Sequence, residues 1–454
     1  MMRVFAMGAA CFAVALFAAP SVTAAAPAPL DLRAAVRFAL DHDPAVLNRR
    51  ATLASNESTY AREHAAEFPT LAGTLQNQLS KSHNASGGSF SQFGLQPPQV
   101  FSQNVAQIGT TYNLYNGSLA QIQAQSAKRQ VEASREDLRR SEQQLATDVA
   151  AAFYNAVQQR EATRLAESDR AYQQQLLDVA RAQERVGRAA GVDVLRAQVN
   201  ELRSEATLTS ARAGQANAVE SLALRIGAPP DTPFALPAVL PEPPLPQTPV
   251  DALVAAALSA RADVASARFQ IAVARLADAA IESDRRPQLT LSGAFGNTES
   301  PASAFGAGSP QRPGFWQIGA TETLTIPFIE YGARRAAHRA ARAQLTAAEG
   351  ALASVESGVA TDVRQALRAV QTASANLATQ REAQRLGAES ARIAQLQYRN
   401  GLISLTDATA AEQSALSAAN DLVAARVAYL NALARLRAAV GVADPLAVVE
   451  PGAP

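Results

Sequence analysis

The sequence contains very little cysteine, lysine or histidine, with one, two and four residues out of 454. Cys11 lies in an N-terminal segment with the features of a removable leader, so we expect no disulfide in the mature chain. The histidines are scattered and match no metal-ligand spacing. Neither a phosphate-binding loop nor a nucleophile-elbow motif is present. These absences argue against an enzyme, and we predict no catalytic residue, cofactor or metal site.

Net charge and aromatic content are also low. The formal net charge is +1 and aromatic residues make up 5% of the chain, while alanine supplies much of the 48% hydrophobic content. Because a nearly neutral chain has no strong field to attract nucleic acid, we predict no nucleic-acid partner. Small side chains suit the close packing of helices better than a thick globular core.

Residues 1–26 contain the longest apolar run of the chain. Arg3 precedes an apolar stretch over 4–19, and small residues follow it. This layout predicts a cleaved secretory signal peptide, since the run is shorter than the roughly 20 residues of a membrane-spanning helix. Lipidation of Cys11 is the alternative, but Gly8 stands where a larger aliphatic residue is expected in a lipoprotein leader.

A nine-residue pattern occurs twice in the chain. The segments "RVGRAAGVD" at 185–193 and "RNGLISLTD" at 399–407 each carry an Arg, a Gly two residues on, and an Asp six residues after the Gly. Asp148 and Asp362 share the same offset of 214 residues. We therefore predict a duplicated structural unit. Its two copies are expected at 27–227 and 250–441, with a proline-rich linker over 228–249 and a tail over 442–454.

Each copy is expected to contain the same order of elements. A helical opening, over about 32–67 or 250–285, leads to two strands with alternating hydrophobic residues and a loop rich in Gly and Ser between them. A long helix and a shorter return helix follow. The expected bounds are 69–115 and 287–327 for the strand pairs, 117–186 and 332–400 for the long helices, and 191–226 and 403–440 for the return helices.

The long helices are predicted to form coiled coils. From Ser118 to Val186 the chain contains neither Gly nor Pro, and such a helix would span roughly 100 Å. Hydrophobic residues recur there every seven positions, which is typical of a coiled coil. They include Val131, Leu138, Leu145 and Ala152 in the first copy, and Leu345, Leu352, Val359 and Ala366 in the second.

Two glycines mark the ends of the long helices. Gly187 and Gly401 fall where a long helix stops and its return helix starts, so they are predicted to form the turns of two helical hairpins. Asp193 and Asp407 then begin the return helices, where a carboxylate interacts favourably with the helix dipole. This helix-start role could by itself explain both aspartates.

Four predicted strands are too few to close a barrel. Single-chain transmembrane barrels need eight or more strands, and open edges are not tolerated in lipid. If the strands enter a membrane, the chain must therefore oligomerise. Two copies would supply eight strands with an interior filled by side chains, whereas three would supply twelve strands with room for a lumen.

These features, duplicated in this order, resemble the TolC-like outer-membrane factors over nearly the whole mature chain. The resemblance rests on both glycine turns, on Pro287-Gln288-Leu289 at a strand entry, and on "LTIPFIEYGARR" and "YRNGLISLTD". It implies a mainly α fold with a membrane β-barrel. In a homotrimer, long coiled-coil helical hairpins would form a periplasmic tunnel, and four strands per protomer would contribute to a twelve-stranded barrel. The linker would lie outside the tunnel wall.

The resemblance also implies a location and a function. The protein would lie in the outer membrane of a Gram-negative bacterium, in contact with outer-membrane lipid and with a large periplasmic part. It would be the channel-tunnel of a tripartite efflux pump for small molecules, working with a periplasmic adaptor (membrane fusion) protein and an inner-membrane transporter of the RND or ABC type. Two alternatives stay open: a duct for type I protein secretion, and a secreted structural coiled-coil protein without a channel.

Residues at the hairpin turns receive roles from the same resemblance. The turns would dock the adaptor, and the matching residues are Arg185, Gly187, Arg399, Gly401 and Leu402. A role of both glycines in folding alone is the alternative.

The periplasmic gate would also lie at the turns. Tyr398 and Asp193 match a Tyr–Asp pair that holds the mouth shut, and Asp407 would form a ring of carboxylates in a trimer. Such a ring favours cations. The family pattern has an Arg and an Asp where this chain has Ile403 and Ala410. The resemblance therefore implies a less tightly closed mouth, unless Arg188 or Arg399 substitutes.

Overall fold

The structure is a computed structural model, and the twelve helices and strands of its described residues are arranged as two copies of one pattern. It describes residues 30–82, 99–187, 190–238, 240–299, 315–328, 332–442, 444 and 446–447. The expected signal peptide, both inter-strand loops, Arg188 and most of the tail lie outside these residues. The elements are α1 Leu32–His42, α2 Pro44–Ala65, β1 Thr70–Ser82, β2 Gln99–Asn116, α3 Leu119–Arg185, α4 Gly191–Ile226, α5 Val250–Ala260, α6 Ala262–Ser283, β3 Gln288–Glu299, β4 Phe315–Thr325, α7 Ala333–Arg399 and α8 Leu405–Val440.

Corresponding helices of the two copies have identical lengths. α1 and α5 have 11 residues, α2 and α6 have 22, α3 and α7 have 67, and α4 and α8 have 36. The sequence predicted one opening helix per copy, but the structure has two. The two helices are separated at Asp43 in the first copy, where Pro44 cannot continue the preceding helix. In the second copy they are separated at Arg261, whose backbone is extended between α5 and α6.

The four strands form one antiparallel sheet in the order β1-β2-β3-β4. The register places Gly73, Ile108, Phe295 and Ile318 in one row across the sheet. Neighbouring residues in each strand point to the opposite face. One row of that face is polar throughout and consists of Thr70, Thr111, Ser292 and Thr321. The sheet therefore has an apolar and a polar face.

The helices form two long hairpins that lie side by side. α3 packs against α4, α7 packs against α8, and α3 packs against α8, which joins the hairpins. α6 contacts both α3 and α7 near the sheet. The largest hydrophobic cluster brings α1 against the middle of α3 and the ends of α4 and α8, around Phe153 and Ile226. No helix of the described ranges is long and apolar enough to cross a membrane.

The proline-rich linker is attached to both hairpins. Arg160 of α3 donates a hydrogen bond of 2.6 Å to the carbonyl of Leu236. Glu242 accepts one of 2.7 Å from Arg426 of α8, and the hydroxyl of Tyr429 donates to the linker carbonyl of Pro243 at 2.8 Å. These bonds hold the linker across the middle of the hairpins.

The break between α1 and α2 is held by an ionic network. The carboxylate of Asp43 accepts hydrogen bonds from the backbone amides of Ala45 and Val46, which satisfies two donors at the start of α2. Arg225, near the end of α4, reaches Asp43 at 3.9 Å and also pairs with Asp148 of α3. Three helices therefore meet at one arginine.

The break between α5 and α6 in the second copy is also held by an ionic network, but its arginine lies at a different position. Arg261 occupies the position of Asp43, and Ala439 that of Arg225. The Arg261 guanidinium lies 2.7 Å from Asp263 and 3.1 Å from Asp362, and it also donates to the carbonyl of Ala439. The arginine of the network therefore lies on the return helix in the first copy and at the break in the second, while the acidic residues of the long helices, Asp148 and Asp362, correspond in position.

Candidate functional site at the hairpin turns

The turn after α3 places Arg185 and Gly187 at the exposed end of the first hairpin. Gly187 has φ +69°, in the left-handed region that a Cβ disfavours, and its amide donates to the carbonyl of Glu184 at 2.9 Å. A Cβ added there would meet nothing within 4 Å. The glycine is therefore required for backbone conformation, and the space around the turn is open.

The turn after α7 is a Schellman motif. Gly401 has φ +75°, its amide donates to the carbonyl of Tyr398 at 2.9 Å, and the amide of Leu402 donates to the carbonyl of Gln397 at 2.8 Å. Leu402 is 71% exposed, and Arg399, three residues before it, is exposed too. The turn therefore presents an apolar side chain next to a cation.

Asp407 is the third residue of α8 and is exposed. The Ser404 hydroxyl accepts from the amide of Asp407 at 3.2 Å and donates to its carboxylate at 2.7 Å. This arrangement caps α8, so the helix-start role of Asp407 is present in the structure. The carboxylate keeps its exposure, and a charge ring in a trimer stays a prediction.

Asp193 occupies the corresponding position of α4 but has different neighbours. Ala190 replaces the capping serine and supplies no side-chain hydrogen bond. The Asp193 carboxylate lies 3.7 Å from the guanidinium of Arg196 in the next turn. It is also close enough to Tyr398 to affect that residue, because burial and then the charge of Asp193 raise the pKa of the phenol.

Tyr398 connects the two hairpins. It is 4% exposed, and its carbonyl accepts a hydrogen bond of 3.3 Å from the side chain of Gln183 on α3. Within the described residues, no hydrogen bond joins its hydroxyl to Asp193. The structure thus brings the two residues of the expected closing pair into one another's field, without a direct bond.

A hydrophobic cluster supports both turns. It contains Tyr172, Leu176, Leu177 and Ala180 of α3, Val194 and Ala197 of α4, Tyr398 of α7, and Leu405 and Ala408 of α8. Ile403, which stands where the family pattern has an arginine, packs against this cluster. Ile403 therefore makes an apolar contact beneath the turn, whereas Ala410 is exposed.

Sequence reasoning missed two residues, Tyr172 of this cluster and Glu412 of α8. Tyr172 lies in a row of residues spaced by seven, with Leu165 and Val179, and Glu412 belongs to none of the motifs quoted above. Tyr172 is 9% exposed and its hydroxyl has no hydrogen-bond partner among the described residues. Glu412 lies on α8, half-buried, and burial followed by the charge of Asp169 raises the pKa of its carboxyl. A tyrosine at a core position of a heptad was the available signal.

The fold and its hairpin turns are those of a protomer of an outer-membrane channel-tunnel. The chain belongs to the outer membrane efflux protein family, whose model matches residues 35–228 and 253–442.

One relative in sequence and two solved structures illustrate what the chain is similar to. The chain is 28% identical to Protein CyaE of Bordetella pertussis over 353 residues, which is 74% of this chain and 69% of that protein. The structure resembles the CmeC outer membrane channel of Campylobacter jejuni, with a TM-score of 0.73, 16% identity and coverage of 90% of this chain and 85% of that one. It also resembles the open state of the MtrE outer membrane channel of Neisseria gonorrhoeae, with a TM-score of 0.70, 21% identity and coverage of 90% and 88%.

Proposed function

We propose that the protein is the outer-membrane channel-tunnel of a tripartite efflux pump in a Gram-negative bacterium, and that it works as a homotrimer. Family membership carries this proposal. The trimer would export small molecules across the outer membrane, receiving them from an inner-membrane transporter of the RND or ABC type through a periplasmic adaptor. The N-terminal signal peptide would direct the chain out of the cytoplasm.

The sheet supports oligomerisation through its open edges. Among the described residues, the outer edges of β1 and β4 pair with no other strand. Leu75 and Ile318 are 86% and 85% exposed on the apolar face, which suits contact with lipid. Because lipid does not tolerate unpaired strand edges, β4 of one protomer is expected to pair with β1 of the next. Three protomers would close twelve strands around the polar face.

The parts of the hairpins next to the turns support the same assembly. α4 exposes Val192, Leu195, Val199 and Leu202, which recur at coiled-coil spacing and are between 46% and 62% exposed. α7 exposes Leu386, Ile393 and Leu396 at 42–55%. Both stripes lie within roughly 20 Å of the hairpin turns, so they lie at similar distances along the helices from those turns. We expect the α4 stripe of one protomer to pack on the α7 stripe of its neighbour.

Trimer formation provides a direct test. Leu195→Glu places a charge in the proposed interface and should reduce the trimer recovered in detergent, measured by native mass spectrometry. Thr207→Glu puts the same charge on an exposed position of α4 outside the stripe and should leave the trimer intact. A stable monomer or dimer of the unaltered protein would refute the trimer.

Transport measurements distinguish an efflux channel from a duct for type I protein secretion, which the sequence leaves as alternatives. Deleting the gene should raise retention of a fluorescent small molecule and susceptibility to toxic compounds, and the unaltered gene should restore both. If only secretion of a protein is lost on deletion, the protein serves type I secretion instead. If neither changes, the protein is no duct.

We propose that the hairpin turns dock the adaptor and close the periplasmic mouth. The open space at Gly187 and Gly401 and the exposed Arg185, Arg399 and Leu402 support adaptor docking. The field of Asp193 at the Tyr398 phenol supports their role in closing the mouth. The exposed carboxylate of Asp407 supports a ring of three negative charges there.

A further inference from the structure

Three arginines form a stripe near the start of α7, at the end of the helix next to the sheet. Arg335, Arg339 and Arg342 are spaced by four and three residues, so they lie on one face of α7 within about 10 Å along its axis. All three are exposed, and no carboxylate among the described residues pairs with them. Glu349, the first acidic residue of α7, pairs instead with Arg275 of α6 at 3.6 Å. This arginine stripe therefore carries positive charge without an acidic partner.

The fold does not require positive charge at all of these positions. The corresponding residues of α3, 214 positions earlier, are Gln121, Gln125 and Lys128. The first turn of α7 contains no acidic residue, and Gly332 before it supplies no side-chain cap. Because arginines near the positive end of a helix dipole are unfavourable, an anion outside the helix would stabilise this end of α7.

The duplication indicates that the arginine stripe stays exposed in the proposed trimer. α3 packs against both α2 and α6, yet Gln121, Gln125 and Lys128 remain exposed. α7 contacts α6 as α3 contacts α2, and in a trimer the next protomer's α2 would lie on its other side. The face that carries the arginine stripe would therefore be covered by neither neighbour.

The arginine stripe lies on the side of α7 that carries α5. Val363 follows Arg335 by four heptads and Arg342 by three, which places it on the same face of a coiled-coil helix, and it is buried in a cluster with α5. On α3, Val149 follows Gln121 by four heptads and is buried in the cluster that contains α1 and the linker. Because the lumen of a tunnel has to stay open, the side covered by α1, α5 and the linker is expected to be the outer one.

The end of β4 places the arginine stripe close to the membrane that the sheet is proposed to span. Ile326 and Phe328, just after β4, are 43% and 86% exposed. Exposed aromatic residues are typical of the interfaces of membrane barrels. α7 begins five residues after Phe328, so the backbone of Arg335 lies within about 20 Å of it. The long side chains of the arginine stripe would therefore lie near the lipid headgroups.

We propose that the arginine stripe binds the phosphate groups of anionic phospholipids in the periplasmic leaflet of the outer membrane. The proposal rests on the proposed membrane channel and adds a lipid partner to it. A guanidinium group can donate two parallel hydrogen bonds to a phosphate. Several arginines on one face favour headgroups with a net negative charge over zwitterionic ones. Three protomers would repeat the arginine stripe around the tunnel, next to the barrel.

The test compares two pairs of arginines on α7. Arg335→Gln with Arg339→Gln removes two charges of the arginine stripe and introduces the residue type that the first copy has at the same positions. Arg364→Gln with Arg368→Gln is the matched control, because these arginines have the same spacing, are exposed and lack a carboxylate partner among the described residues. They lie roughly 40 Å further along the helix.

Lipid retention is the measurement. Trimers are reconstituted into vesicles with equal parts of phosphatidylglycerol and phosphatidylethanolamine and extracted in mild detergent, and the retained phospholipids are counted by native mass spectrometry. The unaltered protein and the control pair should retain phosphatidylglycerol preferentially. Arg335→Gln with Arg339→Gln should lower this preference by on the order of tenfold. Arg342→Gln alone should lower it less, and Arg335→Lys with Arg339→Lys keeps the charge and should retain most of it.

Two results would overturn the inference while leaving the channel function intact. One is an unchanged lipid preference in Arg335→Gln with Arg339→Gln, and a shifted reversal potential of that variant in a salt gradient would then place the arginine stripe at the lumen. The other is an equal loss in the control pair, which would mean that total charge and not the arginine stripe sets the preference. An unaltered protein that forms no trimer in these vesicles would overturn the proposed channel as well.

Discussion

At the scale of single residues, Gly401 combines a structural requirement with open space. Gly401→Asn should be tolerated, because asparagine enters the left-handed region more readily than other residues. Gly401→Glu costs about 1 kcal/mol in backbone conformation and adds a charged side chain where the adaptor is proposed to dock. We expect both variants to form trimers but only Gly401→Asn to export a fluorescent substrate. Transport by Gly401→Glu would show that the glycine serves folding alone.

The two roles considered for Asp407, at the start of α8 and in cation selectivity, can be tested separately. Asp407→Asn removes the charge but can still accept a hydrogen bond from Ser404, so it should lower cation selectivity, measured as the reversal potential in a salt gradient. Ser404→Ala should instead destabilise the start of α8 by about 1 kcal/mol while leaving selectivity unchanged. If Asp407→Asn has the selectivity of the unaltered protein, Asp407 is a helix-start residue without a part in selectivity.

At the scale of elements, the joint between α5 and α6 should be sensitive to acid. Burial acts to raise the pKa of Asp263, but hydrogen bonds and charge from Arg261, with the charge of Arg140, outweigh it and hold the pKa below its ordinary value. A carboxyl with a depressed pKa stabilises the folded state above its ordinary pKa, and this contribution is lost as the pH falls through the folded value.

Asp263→Asn should therefore lower the thermal unfolding midpoint at neutral pH, and the difference from the unaltered protein should shrink below about pH 4. Asp231→Asn, at an exposed position in the linker, should show no such difference. A difference for Asp263→Asn that stays constant from pH 7 to pH 3 would mean that the ion pair is not its cause.

At the scale of the whole molecule, the two faces of the sheet make distinct predictions. Ile318→Lys would put a cation on the apolar face, where lipid contact is proposed and where such a charge costs about 2–4 kcal/mol near the bilayer midplane. Thr321→Lys places the same charge on the polar face. We expect Ile318→Lys to reduce the amount of trimer in the outer-membrane fraction and Thr321→Lys to leave it unchanged. Equal loss for both would mean that the faces are assigned wrongly.

Much of this fold could be predicted from the sequence, because its signals are local. Heptads, alternating strands and turn glycines each depend on the spacing of a few neighbouring residues, and duplication doubles every signal. The glycine turns were placed for the same reason, since a left-handed residue at a helix end is a local requirement. The break at Arg261 was missed, because Arg261 resembles an ordinary helical residue and is held by contacts with α7 and α8. The break at Asp43 was missed although Asp43-Pro44 is a local signal for the start of a helix.

The sequence by itself therefore determined the order of elements, the family resemblance and the residues at the turns. Only the tertiary structure decided which groups meet there. It brought Tyr398 into the field of Asp193, and it gathered Tyr172, Tyr398 and Ala408 into one hydrophobic cluster. Tyr172 and Ala408 are 236 residues apart in the chain, and their proximity depends on how α3 packs against α8. Contacts between distant segments depend on the packing of whole helices, which no local pattern specifies.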